Sequence, residues 1–169
     1  IAIRDAYAYV ATLNGLQILD IEDGASPHQV GSIGLPHLAW DVDVVRDHAY
    51  VAATYDLHII DVSDPSAPVL VGSLPVPFDV RSVVVREPFA FVSSTNEGIR
   101  VVDVSDPAHP VEVGSFQPRD EVLNLGMAGA HVLAPNTAGL QVIAPCSLLF
   151  ASGFESGDCS GWAACEGNR

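Results

Sequence analysis

The stretch IIDVSDPSAPVLVGS at residues 59–73 recurs almost letter for letter as VVDVSDPAHPVEVGS at 101–115, and more weakly as ILDIEDGASPHQVGS at 18–32. Such self-similarity marks an array of one unit rather than a domain built around a single privileged site. Around the middle copy, four short runs fill the unit: DVDVV (41–45), HAYVAAT (48–54), LHIIDV (57–62) and PVLVGSL (68–74). Each is rich in Val, Ile, Ala and Tyr and is bounded by Asp, Gly or Pro, which predicts four strands joined by tight turns. The second and third runs are apolar at most consecutive positions rather than alternating, as expected where both faces of a small sheet are covered.

Stacking of neighbouring units supplies that cover. Ala8-Tyr9-Val10 recurs 41 residues on as Ala49-Tyr50-Val51, 41 further as Ala90-Phe91-Val92 and, on the same reading, 40 further as Ala130-His131-Val132. Four strands repeating at about 40 residues is the signature of a β-propeller blade. The expected architecture is therefore all-β, a β-propeller of about four four-stranded blades over residues 1–145 and a short irregular Cys-containing tail at 146–169. The blade units run at about 1–34, 39–75, 80–117 and 121–152. Ile1, Ala2 and Ile3 align with Val42, Asp43 and Val44, so the first blade starts inside its first strand. The fourth unit is degraded, with Ala144-Pro145-Cys146 in place of DVSDP and only LLFAS (148–152) left for a last strand. Four blades either close a small ring or form part of a larger propeller. In an open ring a terminal face rich in Val and Ile is exposed, and self-association is expected.

The 169 residues carry 21 Asp and Glu against seven Arg and no Lys, a net charge of −14, which excludes a nucleic-acid backbone as partner. No run approaches the about 18 apolar residues of a membrane span. Cys146, Cys159 and Cys165 all fall in the last 24 residues, which fits an extracellular tail pinned by a small disulfide whose pairing stays open. The six histidines are spread singly and no CxxC occurs, so neither a metal nor another cofactor is expected.

The units AYVAATYDLHIIDVSDPSAPVLVGS and AFVSSTNEGIRVVDVSDPAHPVEVGS closely resemble the LVIVD-repeat family, and the match extends over about residues 1–145. The resemblance implies a secreted or surface-attached bacterial or archaeal β-propeller, and it brings no catalytic residues with it. Gly153, Phe154, Glu155, Ser156, Gly157, Asp158, Ser160 and Trp162 resemble a GFESGDxSxW segment at the C-termini of exported proteobacterial proteins, which implies a terminal tag or surface-processing segment.

The paired aspartates Asp61 with Asp64 and Asp103 with Asp106 invite a calcium reading. They lack the ligand count of a DxDxDG loop, and an Asx-turn held by Pro65, Pro68, Pro107 and Pro110 explains them better. Gly31, Gly72 and Gly114 predict a bulge or a close blade approach. Arg46 and Arg86 are expected to meet the aspartates of these turns. With no phosphate loop and no GxSxG, catalysis has no visible machinery.

Function is therefore expected on the loops that differ between units, namely those from fourth to first strand and from second to third. His37, Trp40, Tyr55, Asp56, Phe78, Asp79, Asn96, Glu97 and Asn136 are the candidate ligand-binding residues. Aromatics beside acids and amides suit an extracellular protein or a glycan. Trp40 and Phe78 have an alternative role as plugs of the seam between blades. The expected function is a secreted or cell-surface binding module without catalysis of its own. The alternatives are a carbohydrate hydrolase or lyase using Asp56 and Asp79, and a purely structural surface protein.

Overall fold

The computed structural model describes residues 1–77, 79–95, 97–117, 121–129, 131–136 and 139–143. The first blade is β1 (Ala2–Arg4), β2 (Tyr7–Thr12), β3 (Gly15–Asp20) and β4 (His28–Gly34). The second is β5 (Ala39–Val45), β6 (His48–Ala53), β7 (Asp56–Asp61) and β8 (Val69–Pro75). The third is β9 (Val80–Arg86), β10 (Phe89–Ser94), β11 (Gly98–Asp103) and β12 (Val111–Phe116), and the fourth is β13 (Gly126–Ala128), β14 (His131–Asn136) and β15 (Gly139–Ile143). Each sheet pairs its strands antiparallel in chain order, so every blade is a meander and the chain is a β-propeller of about four blades. The possible last strand at 148–152, the tail and its three cysteines lie outside the described residues. Among the described residues no helix is long and apolar enough to cross a membrane.

The fourth blade departs from the expected register. Ala8 pairs with Leu19, Ala49 with Ile60 and Ala90 with Val102, and the equivalent pair is Val132 with Ile143. Val132 thus occupies the alanine column, 42 residues after Ala90 rather than the expected 40 for Ala130. The Gly139-Leu140-Gln141 start of β15 sets the pairing, as Gly15-Leu16-Gln17 does in β3, and it outweighs the shared A-x-V letters.

Three seams hold the blades. Tyr9, Leu16 and Ile18 of the first blade pack on Val42, Ala49, Val51, Ile60 and Val62 of the second. Tyr50, Leu57 and Ile59 on the second blade's other face pack on Val83, Val85, Ala90, Val92 and Val102. Phe91, Ile99 and Val101 pack on Leu125, Val132, Ala134 and Ile143. The continuous apolar runs of β6 and β7 are thereby explained, because a middle blade buries both faces. Burial and the nearby Glu87 carboxylate push the Tyr50 hydroxyl, which sits in the middle seam, up to about 12.

The turns fall on two sides. On one side the carbonyls of Ala6, Asp47 and Pro88, in the turns between first and second strands, accept from the amides of Ile21, Val62 and Val104 just after each third strand. The DVSDP turn begins there as the expected Asx-turn: Asp20, Asp61 and Asp103 Oδ1 accept the amide two residues on, at 2.8, 2.8 and 2.9 Å. Asp64 repeats the motif with both the Ser66 hydroxyl and amide, which hold its carboxyl below the usual range.

Gly31 and Gly72 serve both expected purposes. The ladder shifts register at Ile18/Leu19, Ile59/Ile60 and Val101/Val102, opposite these glycines and Gly114. A Cβ on Gly31 would stand 2.1 Å from the Pro65 carbonyl oxygen of the next blade, and one on Gly72 2.0 Å from that of Pro107. Arg46 does not meet the turn aspartates as expected. It reaches across the seam to Glu87 at 2.9 Å, and Arg86 likewise donates to the Gly129 carbonyl at 3.0 Å. Both side chains leave a turn that abuts the neighbouring blade's turn, and the nearest anion or carbonyl is therefore on that neighbour.

Candidate functional site

The opposite side carries the variable loops. Leu38 O accepts from Thr54 N, Tyr55 O from Val76 N, Thr54 O from Val80 N and Asp79 O from Thr95 N, so the second-to-third-strand turns of the second and third blades are laced to loops between blades. The repeat acts as an internal control for what lies there. At the start of the third strand stand Gly15, Gly98 and Gly139 with φ of +125°, +71° and +140°, whereas the second blade has Asp56 with its backbone outside that left-handed region. Two positions on, Gln17, Arg100 and Gln141 are replaced by His58.

These departures converge. His37 Nδ1 lies 2.8 Å from Asp56 Oδ2, and the exposed Tyr55 ring meets the His37 ring edge-on at 5.2 Å and 89°. His58 Nε2 is 4.0 Å from the same carboxylate oxygen, beyond hydrogen-bond reach. The His58 side chain is 3 % exposed, and neither ring nitrogen has a hydrogen-bond partner. Burial lowers its pKa, against the pull of Asp56 and with the help of His37.

That shift has a sign for stability. Unfolding returns His58 to the usual range, so the unfolded chain binds more protons and stability falls as pH drops below about 6.5. His58→Gln, the residue of two other blades, is expected to flatten this acid loss. Urea midpoints of parent and variant between neutral pH and the point where the carboxylates begin to titrate check it, and identical slopes would contradict it.

A second group stands across Thr54. Trp40 lies within β5 rather than in a loop, exposed instead of plugging the seam. Its Nε1 donates to Thr54 Oγ1 at 3.1 Å. The Arg81 guanidinium sits 4.2 Å above its ring in a cation–π contact and is ion-paired with Asp79. Sequence reasoning missed His58, Thr54 and Arg81 because they sit in or beside strands; the signal was in the repeat columns, where His58 replaces Gln or Arg. Glu97 is engaged within its own blade by Arg100 at 2.8 Å, and Arg100 also holds Glu112 at 2.6 Å. Asn136 ends β14 in the fourth blade. Phe78 and Asn96 lie outside the described residues. Among the described residues no group of three or more His, Cys, Asp or Glu side chains is placed to hold a metal ion.

An open axial cavity of about 450 Å³ is lined from all four innermost strands, including Ala2, Asp43, Val84 and Met127. Its carboxylates are committed to the frame. Asp41 Oδ2 accepts from the Ser82 hydroxyl at 2.6 Å and the Val83 amide at 3.1 Å, and Asp43 Oδ2 accepts from the Val85 amide at 2.7 Å. Burial raises the Asp43 pKa, and the Val85 and Val44 amides oppose the rise.

Stacked antiparallel meanders, three of four strands and one of three among the described residues, with one side that repeats and one that varies, define a β-propeller repeat protein. The LVIVD repeat matches residues 1–34, 38–75 and 79–117, and the chain belongs to this family. No curated protein matches it. Among solved structures it resembles the computationally designed Ika4 protein, with a TM-score of 0.67 and 11 % identity over 84 % of this chain and 87 % of that one. It also resembles the computationally designed Ika8 protein, with a TM-score of 0.64 and 12 % identity over 83 % of this chain and 43 % of that one.

Proposed function

We propose that the chain is a secreted or cell-surface binding module without catalysis of its own, taking an extracellular protein or a glycan on the varied side of its second and third blades. One observation carries this reading: the second blade breaks its own repeat at Asp56 and His58, and Asp56 holds His37, whose ring meets Tyr55, on the side that also exposes Trp40. Exposed aromatic rings supply flat apolar contact, and adjacent acids and an imidazole supply directional hydrogen bonds, a mixture suited to sugars and peptide side chains. The end-loaded cysteines and the GFESGDxSxW-like tail support export.

Screening the purified chain against glycan and extracellular-protein arrays tests this. Trp40→Ala and Tyr55→Ala are each expected to weaken the hit by about 2 kcal/mol, roughly 30-fold, with an unchanged melting temperature. Binding that survives both substitutions places the partner elsewhere. Turnover of a carbohydrate that Asp56→Asn or Asp79→Asn abolishes would replace the module by the hydrolase or lyase reading. No partner at all, with the loops freely substitutable, would leave a structural surface protein.

A further inference from the structure

The repeat also shows which seam faces are uncovered on the first and fourth blades. Leu16, Leu57 and Ile99 occupy one column and are at most 1 % exposed, and Ile18, Ile59 and Val101 in the next are fully buried. Their fourth-blade equivalents, Leu140 and Val142, are 61 % and 56 % exposed. At the other end, Ile1 and Ile3 are 72 % and 68 % exposed, whereas at the equivalent positions Val42, Val83 and Val85 are buried and Val44 is partly so. Val10 and Leu19 are only partly buried where Val51 and Ile60 are fully so. The first blade thus presents the receiving half of a seam and the fourth the inserting half, the same two halves that pack three times inside the chain.

We propose that a second copy of this chain completes both, the fourth blade of each copy seating on the first blade of the other to give a closed eight-blade ring with two-fold symmetry. Continuity with the internal seams argues for this occupant, since the two bare faces already match. The arrangement of the blades is compatible with this: the same blades match 87 % of Ika4 and 43 % of Ika8, so such a stack continues in a chain more than twice the matched length. Two identical head-to-tail contacts close after one turn only if the rotation permits, and a half-ring permits it.

Light scattering on the size-exclusion peak of the intact chain reads the outcome. The expected mass is twice 17.8 kDa, and the paired fraction rises with added salt, which screens the net charge of −14 on each copy while leaving an apolar seam intact. Val142→Asp and Ile3→Asp should each halve the mass, with strand content retained because both positions are exposed. Mixing the two variants should restore pairing, because one of the two seams in the mixed ring is then free of substitution. Single-chain mass in the parent, an open-ended ladder of masses, pairing that salt dissolves, or variants that do not complement would each overturn the proposal. Single-chain mass with protection at 140–142 that disappears when residues 144–169 are removed would assign the face to the tail instead.

Discussion

Ile60→Asp is expected to abolish folding of the first two blades, and Val51→Asp to do the same. Both side chains are fully buried in the seam between those blades, away from any basic group that the structure brings to them. A carboxylate placed there loses its hydration with nothing in return, a penalty of about 4 kcal/mol or more against a total stability of roughly 5–15 kcal/mol. Circular dichroism should show loss of strand signal, and amide exchange should accelerate first in β1–β8, since an array of repeats is coupled through nearest neighbours. Variants that melt like the parent would refute burial of both faces of a blade. The comparison with Val142→Asp sharpens the point: it is the same chemical change at the counterpart of Ile59, the neighbour of Ile60, and it should be tolerated because the fourth blade's face is bare.

Gly72→Ala carries the second large effect. The added methyl would stand 2.0 Å from the Pro107 carbonyl oxygen and 3.3 Å from Pro110 Cδ, so either β8 or the neighbouring turn has to move. The turn is braced by its Asx bonds at Asp103 and Asp106, and the expected loss is about 1–3 kcal/mol. Gly24→Ala is the control. Nothing lies within 4 Å of the Cβ position there, and the change should stay within about 0.5 kcal/mol. Equal urea midpoints for the two variants would mean that the seam accommodates the methyl and that the glycine is not required by contact.

The contrast between these sites shows how far the letters reached. Blades, the Asx-turns and, in the first three blades, the strand limits were legible because local chemistry repeats: Asp, Pro and Gly recur at fixed offsets, and each acts within a few residues of itself. Gly72 was legible as a close approach, but its partner Pro107 was not, because that contact belongs to the neighbouring copy. The same gap misdirected Arg46, expected on a turn aspartate and found on Glu87. In the fourth blade, a weak A-x-V likeness placed the register two residues early, and the Gly139 turn corrected it. At the candidate site, Trp40, His37, Tyr55, Asp56 and Asp79 were named from loop position alone. His58 was passed over because the histidines are spread singly along the sequence, and only its place two residues from Asp56 on the same strand gives it meaning.

The contact between Gly72 and Pro107, and its counterpart between Gly31 and Pro65, points one way along the chain: the first and second units each offer a notch, and the successor fills it. Such an array has polarity. A unit duplicated in the gene arrives with notch and plug already in the right order, so the structure can lengthen by whole copies without any residue being redesigned. A unit inserted backwards has neither. Growth by duplication therefore leaves the braced side unchanged while the loops of each new copy are free to diverge, which is the pattern that Asp56 and His58 display within a single chain.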